Sequence, residues 1–297
     1  MASKRKYRGI DQLSTRDKVI VGLMVVVPTL IVLWLVWLPA IGSVLLSFTN
    51  WDGIGPLSDI KFVGVQNYHD IATIYPPFWP AIQHNLIWLG VMFFIATPLG
   101  ILFAVLIDRG VAGTRFYQSS IYLPVVLSLA LVGFIWQLIY SRDQGLLNAI
   151  TGGTTDWYGD PDVNLWAALV AASWRHAGYI MLLYLAGLKG VDPSLREAAK
   201  IDGASETKTF FRVVFPVMRP INIIVLVVTF IESLRAFDLV WVINKGRNGL
   251  ELISTLVTQN VVGEASRIGF GSALATIMLA ISSVLVFAYL RIAMKED

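Results

Sequence analysis

Glu197-Ala198-Ala199-Lys200-Ile201-Asp202-Gly203-Ala204, continued by Ser205 to Phe215 and closed by Pro216, is a polar and basic interruption in an otherwise oily chain. On either side lie apolar runs long enough to cross a bilayer. The interruption carries its own helix signals. Asp192-Pro193-Ser194 opens a helix well, because Asp or Ser can cap and proline at the first helical position loses no hydrogen bond. Ser194 and Glu197 also have capping-box spacing. Leu195 to Lys200 are good helix formers, and Gly203 ends the helix by accepting a positive φ. Ser205 can cap a second helix that reaches Phe215. The stretch therefore reads as two short helices with a glycine joint.

Across the 297 residues, 56% are hydrophobic and 14% charged, against roughly 25% charged in soluble proteins. The charges are bunched, leaving several windows of about 20 residues nearly free of them, the length a helix needs to span about 30 Å of hydrocarbon. This is the pattern of an all-α polytopic membrane protein. With no cysteine, a disulfide framework, a thiol nucleophile and a cysteine-ligated metal are excluded. His69, His84 and His176 lie far apart, so no metal site is expected.

Six membrane spans are expected at about residues 19–48, 86–107, 117–140, 165–188, 217–243 and 272–292. A basic tail covers 1–18, and the 189–216 loop is the stretch quoted above. The apolar run after the tail is too long for a signal peptide and reads as a retained span, with Pro28 and Pro39 expected to kink it or end it early. Residues 49–85 read as loop, and Pro124 lies inside the third span. Alternating the spans puts sixteen lysines and arginines on one side and five on the other. The basic side is cytoplasmic by the positive-inside rule, so both termini and the 189–216 loop are expected there.

Ionisable groups at membrane depth usually face protein or a watery cavity. Arg175, Glu232 and Arg235 are such groups, and Asp238 is expected near the outer end of its helix. Glu232 and Arg235 are three apart and could neutralise each other, as a packing pair or as part of a path. His176 and Tyr179 share a face of span four with Ala172. Thr229, Ser233 and Phe237 share a face of span five. With Trp136, Gln137 and Trp174 these stripes could line a cavity for a sugar, whose hydroxyls and flat C–H faces need polar groups and aromatic surface. Ordinary helix–helix hydrogen bonding is the competing reading. No phosphate-loop, HExxH or nucleophile–base pattern occurs, so no enzyme is expected. On the loop itself, Leu195, Ala198, Ala199 and Ile201 offer an apolar surface either to a partner's groove or to lipid headgroups.

Glu197-Ala198-Ala199, Gly203 four residues on and Pro216 thirteen after the glycine resemble the EAA motif of ABC-importer permeases. The fuller string from Glu197 to Ser205, Leu185 to Leu188 before it, and Phe210 and Phe211 resemble the carbohydrate-uptake, maltose-permease-like branch. Weaker echoes are Phe62-Val63-Gly64 with Asn67-Tyr68, Phe237-Asp238 with Trp241, and Ile268-Gly269-Phe270-Gly271. The resemblance implies a type I ABC importer permease fold in a bacterial or archaeal cell membrane. It implies pairing with a second, related permease and with two ATP-binding subunits that hold ATP and magnesium, so no cofactor is expected on this chain. An extracytoplasmic solute-binding protein would deliver the sugar; lipid surrounds the chain, and no nucleic acid is involved. Glu197, Ala198, Ala199, Asp202, Gly203 and Pro216 are the coupling residues it implies. Its sugar-contacting positions fall near Ala172, His176, Tyr179, Thr229 and Ser233, with Ala172 unable to donate a side-chain hydrogen bond. Gly246-Arg247-Asn248 departs from the family's usual Gly-Gly-Pro. Two alternatives remain: an anionic, glycerol-phosphate-like cargo with Arg175 as counter-charge, and an intramembrane enzyme or scaffold without an ATPase.

Overall fold

In the computed structural model, residues 14–110, 112–263 and 266–294 are described. The basic tail up to residue 13, and Lys295 at the other end, lie outside them. The Ser14 hydroxyl accepts the Asp17 N–H at 3.2 Å and starts α1, Thr15–Leu46. Neither Pro28 nor Pro39 ends this helix early, so the second of the two outcomes expected of them does not occur. Before Pro39 the backbone switches to a π turn at Leu33–Trp37, and the Leu38 N–H bonds the Leu33 carbonyl five residues back. The same device recurs twice. A π turn at Met92–Ala96 precedes Pro98, and one at Phe210–Val214 precedes Pro216. A proline ring clashes with the carbonyl four residues earlier and offers it no N–H; the wider turn accommodates both defects without a break.

At the end where α1 finishes, Asn67 donates to the carbonyls of Ser47 and Thr49 at 2.8 Å each, and Thr49 pairs with Phe62 in an isolated antiparallel bridge. Helix α2, Gln66–Thr73, and the start of α3, Phe78–Asp108, lie inside what the sequence reads as loop. The second long helix thus begins directly after Pro77, eight residues before its expected start at Leu86. Buried Asn85 explains the misreading: its polar side chain accepts the Ile253 N–H at 3.0 Å instead of marking a loop.

The stretch expected as the third span, 117–140, is built of two helices, α4 (Thr114–Val126) and α5 (Leu129–Ile139), meeting at 106°. Pro124 strips an N–H from the last turn of α4, Leu127 turns extended, and the Ser128 hydroxyl caps α5 through the Leu131 N–H at 3.2 Å. After α6, Leu146–Thr151, comes α7, Asn164–Lys189, close to its expected span. Helices α8 (Pro193–Ile201) and α9 (Glu206–Val217) follow. The expected fifth helix is α10 (Arg219–Leu234), bent 80° from α9, and then α11 (Asp238–Asn244). The interruption at Arg235-Ala236-Phe237 puts Asp238 in the first turn of α11 and not at the far end of α10. Helix α12, Ile253–Val261, fills part of the next loop, and α13, Ile268–Met294, completes the described chain.

Fourteen of the 26 residues of α7 are buried, which makes it the axis of the bundle. Close packing around it depends on small residues. A Cβ on Gly178 would stand 2.3 Å from the Ile121 carbonyl oxygen of α4, and one on Gly100 of α3 would stand 2.6 Å from the Ala177 carbonyl oxygen. One apolar cluster joins α3, α5, α7 and α11 around Met92, Val132, Leu169 and Val240; another joins α3, α7 and α10 around Ile180, Tyr184 and Val225. By length and apolar composition α1 and α3 are each able to cross a membrane, and the bent sets α4–α5 and α9–α11 meet the same test taken together.

Candidate functional site: an exposed helical loop and a polar helix node

Asp192 caps α8, its Oδ1 accepting the Ser194 N–H at 2.9 Å. That backbone bond, with a further bond from the Ser194 side chain, holds the carboxyl below its usual range. Because Asp192 is the cap, Glu197 is not needed as the second half of a capping box. Its carboxylate is exposed and makes no hydrogen bond or ion pair among the described residues. Ser194, Glu197, Ala198 and Ile201, at helical spacing, form the outward stripe of α8, and Ile201 is 87% exposed. Ala199 faces inward and is buried. Gly203 sits at φ +72 and closes the helix, with the Ala204 N–H bonding the Ala199 carbonyl at 2.9 Å; the Ser205 hydroxyl then caps α9. Asp202 ends α8, exposed. Pro216 lies in the last turn of α9, at the 80° bend. Beyond the bend the Asn222 amide holds the Phe215 carbonyl at 2.9 Å and accepts the hydroxyl of Tyr184 on α7.

Two ion pairs fasten this loop to the end of α3. Arg196 Nη1 meets Asp108 Oδ2 at 2.7 Å while its Nη2 donates to the Leu188 carbonyl at 3.4 Å, and Arg109 meets Glu206 at 3.1 Å. The sequence reading uses Asp108 and Arg109 only to end the second span and gives none of these four residues a functional role. Their only linear signal is charge at the helix ends, since the partners lie about 90 to 100 positions apart.

Deeper in the bundle, His176 of α7 and Thr229 of α10 come together as their stripes suggest, 3.1 Å apart. A third group, Thr97 of α3, completes a triangle at 3.2 Å from His176 Nε2 and 3.0 Å from Thr229. All three are buried, and Ser233 backs the node by donating to the Thr229 carbonyl at 2.7 Å. The missed Thr97 directly precedes Pro98 and follows the π turn of α3, a place where helices often carry functional groups.

Beside the node is a cavity of about 50 Å³ lined by Ala172, Arg175, Glu232 and Phe237 among others. Arg175 and Glu232 face each other across it at 3.8 Å. Glu232 therefore pairs between helices and not with Arg235 of its own helix; Arg235 caps the end of α10, where the helical face is already lost. The cavity holds one or two waters at about 30 Å³ each and falls far below the roughly 300 Å³ of a small-molecule pocket. Phe237 stacks on Trp241 at 5.3 Å.

The aromatic half of the expected sugar surface lies elsewhere. Trp136 and Trp174, edge to face at 5.8 Å, line a separate, almost wholly apolar cavity of about 770 Å³ between α3, α4, α5 and α7. Gln137 donates to the carbonyls of Val242 and Ile243 at 3.3 and 3.4 Å and ties α5 to the end of α11. Tyr179 packs against the cluster around Tyr184. Within this chain the polar and aromatic residues thus do not converge on one pocket.

Residues 96–295 match the family described as binding-protein-dependent transport system inner membrane component. The xylose/arabinose import permease protein XacH of Haloferax volcanii is 29% identical, over 84% of this chain and 80% of its own. The osmoprotective compounds uptake permease protein GgtC of Synechocystis sp. is 32% identical, over 82% of this chain and 87% of its own. A chain of a bacterial ABC transporter involved in the import of the acidic polysaccharide alginate superposes with a TM-score of 0.80 at 20% identity, covering 94% of this chain and 96% of that one. The fold is that of a type I ABC importer permease, a transport component and not an enzyme. Taken with the exposed two-helix loop and its glycine joint, these matches make the chain a member of the binding-protein-dependent transport system inner membrane component family.

Proposed function

We propose that this chain forms half of the translocation path of an ATP-driven importer of a sugar or oligosaccharide. The observation that carries the reading is the outward stripe of α8. Glu197 stands unpaired among the described residues on a capped helix, next to Ala198 and the 87% exposed Ile201. An apolar ridge beside a bare carboxylate suits a groove on a basic partner. That partner is one of two ATP-binding subunits, which bind the ATP and magnesium; a second, related permease completes the channel, and an extracytoplasmic binding protein supplies the solute. A sugar as cargo is supported by the import named for the Haloferax relative.

The chain crosses a bacterial or archaeal cell membrane six times, with both termini, the basic tail of 1–18 and the 189–216 loop in the cytoplasm. Helices α1, α3, α4–α5, α7, α10–α11 and α13 make the crossings. The contacts support this sidedness: Asp108 and Arg109 meet the loop at one end, while His84, Asn85 and Trp51 contact Glu251, Ile253 and Gly269 at the other. The 50 Å³ cavity lined by Arg175, His176, Glu232 and Phe237 is this chain's share of the path, with Thr229 and Ser233 behind His176, and it is enlarged when the second permease faces it. Trp136, Gln137, Trp174 and Tyr179 lie outside this cavity and serve the path through helix packing.

The test is uptake by membranes carrying the whole transporter with Glu197→Lys or Ile201→Asp. Both side chains point away from the fold, so the chain should insert normally while ATP-driven uptake is lost. Undiminished uptake in both variants refutes the reading.

A further inference from the structure

Apolar packing between the loop helices and α3 is confined to one cluster, in which Ala104 and Ile107 of α3 join Val214 of α9. Beside it lies a cleft of about 300 Å³, lined by Val105, Asp108, Arg109, Arg196, Glu206 and Phe210 among others. Two ion pairs cross it, and their arrangement is specific. Adjacent residues of opposite charge at the end of α3 each address a different loop helix: Asp108 takes Arg196 of α8 at 2.7 Å, and Arg109 takes Glu206 of α9 at 3.1 Å. One such contact would act as a pivot; two of opposite polarity resist rotation and keep the helices from exchanging partners. The first pair is also sheltered, with the Asp108 side chain only 16% exposed, and its arginine reaches the Leu188 carbonyl at the end of α7. From Asp108, α3 runs eleven residues, about 16 Å of helix, to Thr97 of the buried node.

We propose that Asp108–Arg196 and Arg109–Glu206 are paired struts that carry displacement of the loop helices into α3 and along it to the Thr97–His176–Thr229 node. They are positioning residues for energy coupling. The inference rests on the reading that α8 docks on an ATP-binding subunit. Apolar surfaces beside an open cleft can slide or part, whereas the short, sheltered Asp108–Arg196 pair resists both pull and push; the more exposed Arg109–Glu206 pair, at 44% and 67%, serves mainly to fix which loop helix each partner addresses. Thr97 turns an axial movement of α3 into a change at the two other helices of the node, because its hydroxyl touches both.

The chain has no cysteine, so paired spin labels can be placed at will. The complete transporter, carrying Leu102→Cys on α3 and Leu279→Cys on α13, is reconstituted in lipid and its interspin distances are measured with and without ATP and magnesium. With the native struts, nucleotide shifts the distance distribution. With Asp108→Asn or Arg196→Gln, the equilibrium between the two distributions moves back by about tenfold, within the usual range of coupling between sites. Exchanging the charges, Asp108→Arg with Arg196→Asp, restores the shift. A full shift in either neutral variant overturns the proposal, and so does a charge-exchanged pair that assembles but stays unresponsive. Should a neutral variant fail to co-purify with the ATP-binding subunits, the charge-exchanged pair decides: regained assembly and shift support the struts, and continued failure overturns them. Absence of any nucleotide-dependent shift with the native struts would instead count against the docking reading itself.

Discussion

Thr97→Val and Thr229→Val, singly and together, test whether the polar node is one unit. Thr97→Val removes the contacts at 3.2 and 3.0 Å and leaves His176 bonded to Thr229 at 3.1 Å. Thr229→Val likewise leaves the Thr97–His176 contact. Two hydroxyl protons and one imidazole nitrogen, which either donates or accepts, make two full bonds among these three contacts, and each single change leaves one of them. Interhelical hydrogen bonds in membranes average about 0.6 kcal/mol, so each single change should destabilise by roughly that amount. The double change removes both bonds and leaves buried His176 Nε2 without a partner from the node. Two bonds at that average, plus roughly 1–3 kcal/mol for an orphaned buried polar group, give a loss of roughly 2–4 kcal/mol. This exceeds the summed singles. A set of independent pairwise bonds would give the opposite sign, because the Thr97–Thr229 bond is lost in both singles and would be counted twice. Denaturant titration of the detergent-solubilised protein reads the four stabilities of the cycle. A double variant that loses no more than the sum of the singles refutes the closed triangle.

Two further outcomes are expected. Gly178→Ala and Gly90→Ala both gain up to about 1 kcal/mol of helix propensity, but only the first drives a Cβ to 2.3 Å from a backbone carbonyl, whereas Gly90 meets nothing within 4 Å. Overpacking costs roughly 1–3 kcal/mol, so thermal unfolding of the purified chain should shift down for Gly178→Ala and up for Gly90→Ala; shifts of the same sign contradict the helix contact. Asp192 has a folded-state pKa below its unfolded one, so its capping contribution is complete at neutral pH and is lost as pH falls through the folded value. Hydrogen-exchange protection at the start of α8, referenced to Asp192→Asn, should therefore persist through mild acid and disappear only below the ordinary carboxylate range of about 3.9.

The loop was legible because its determinants are local. Asp192, Pro193, Gly203 and Ser205 each act on backbone within four residues, so chain order contains the answer. The long apolar helices were legible from composition. What escaped depends on packing or on breaks that hydropathy does not register. Leu127-Ser128 and Arg235-Ala236-Phe237 interrupt helices inside apolar runs, and only the backbone records it. Glu232 has a plausible partner three residues away in Arg235, yet it pairs with Arg175, 57 residues distant, because α7 and α10 are neighbours. His176 and Thr229 stood out as polar groups on apolar faces; Thr97 did not, since one threonine before a proline gives no stripe to count. Gln137 and Asn85 show the reverse error, being polar side chains that serve backbone groups of distant helices.

The three π turns also fix the phase of their helices. An α-helix advances about 100° per residue, so a turn that closes over five residues instead of four rotates everything beyond it by about that amount relative to an uninterrupted helix. In α3 the turn at Met92–Ala96 separates Trp88, packed against α7 and α11, from Thr97, aimed at His176 and Thr229. Removing one residue from that turn would cost a single apolar side chain and yet swing Thr97, Gly100 and Asp108 away from their partners together. The position of a single extra residue thus sets the azimuth of both the buried node and the strut at the far end of the helix.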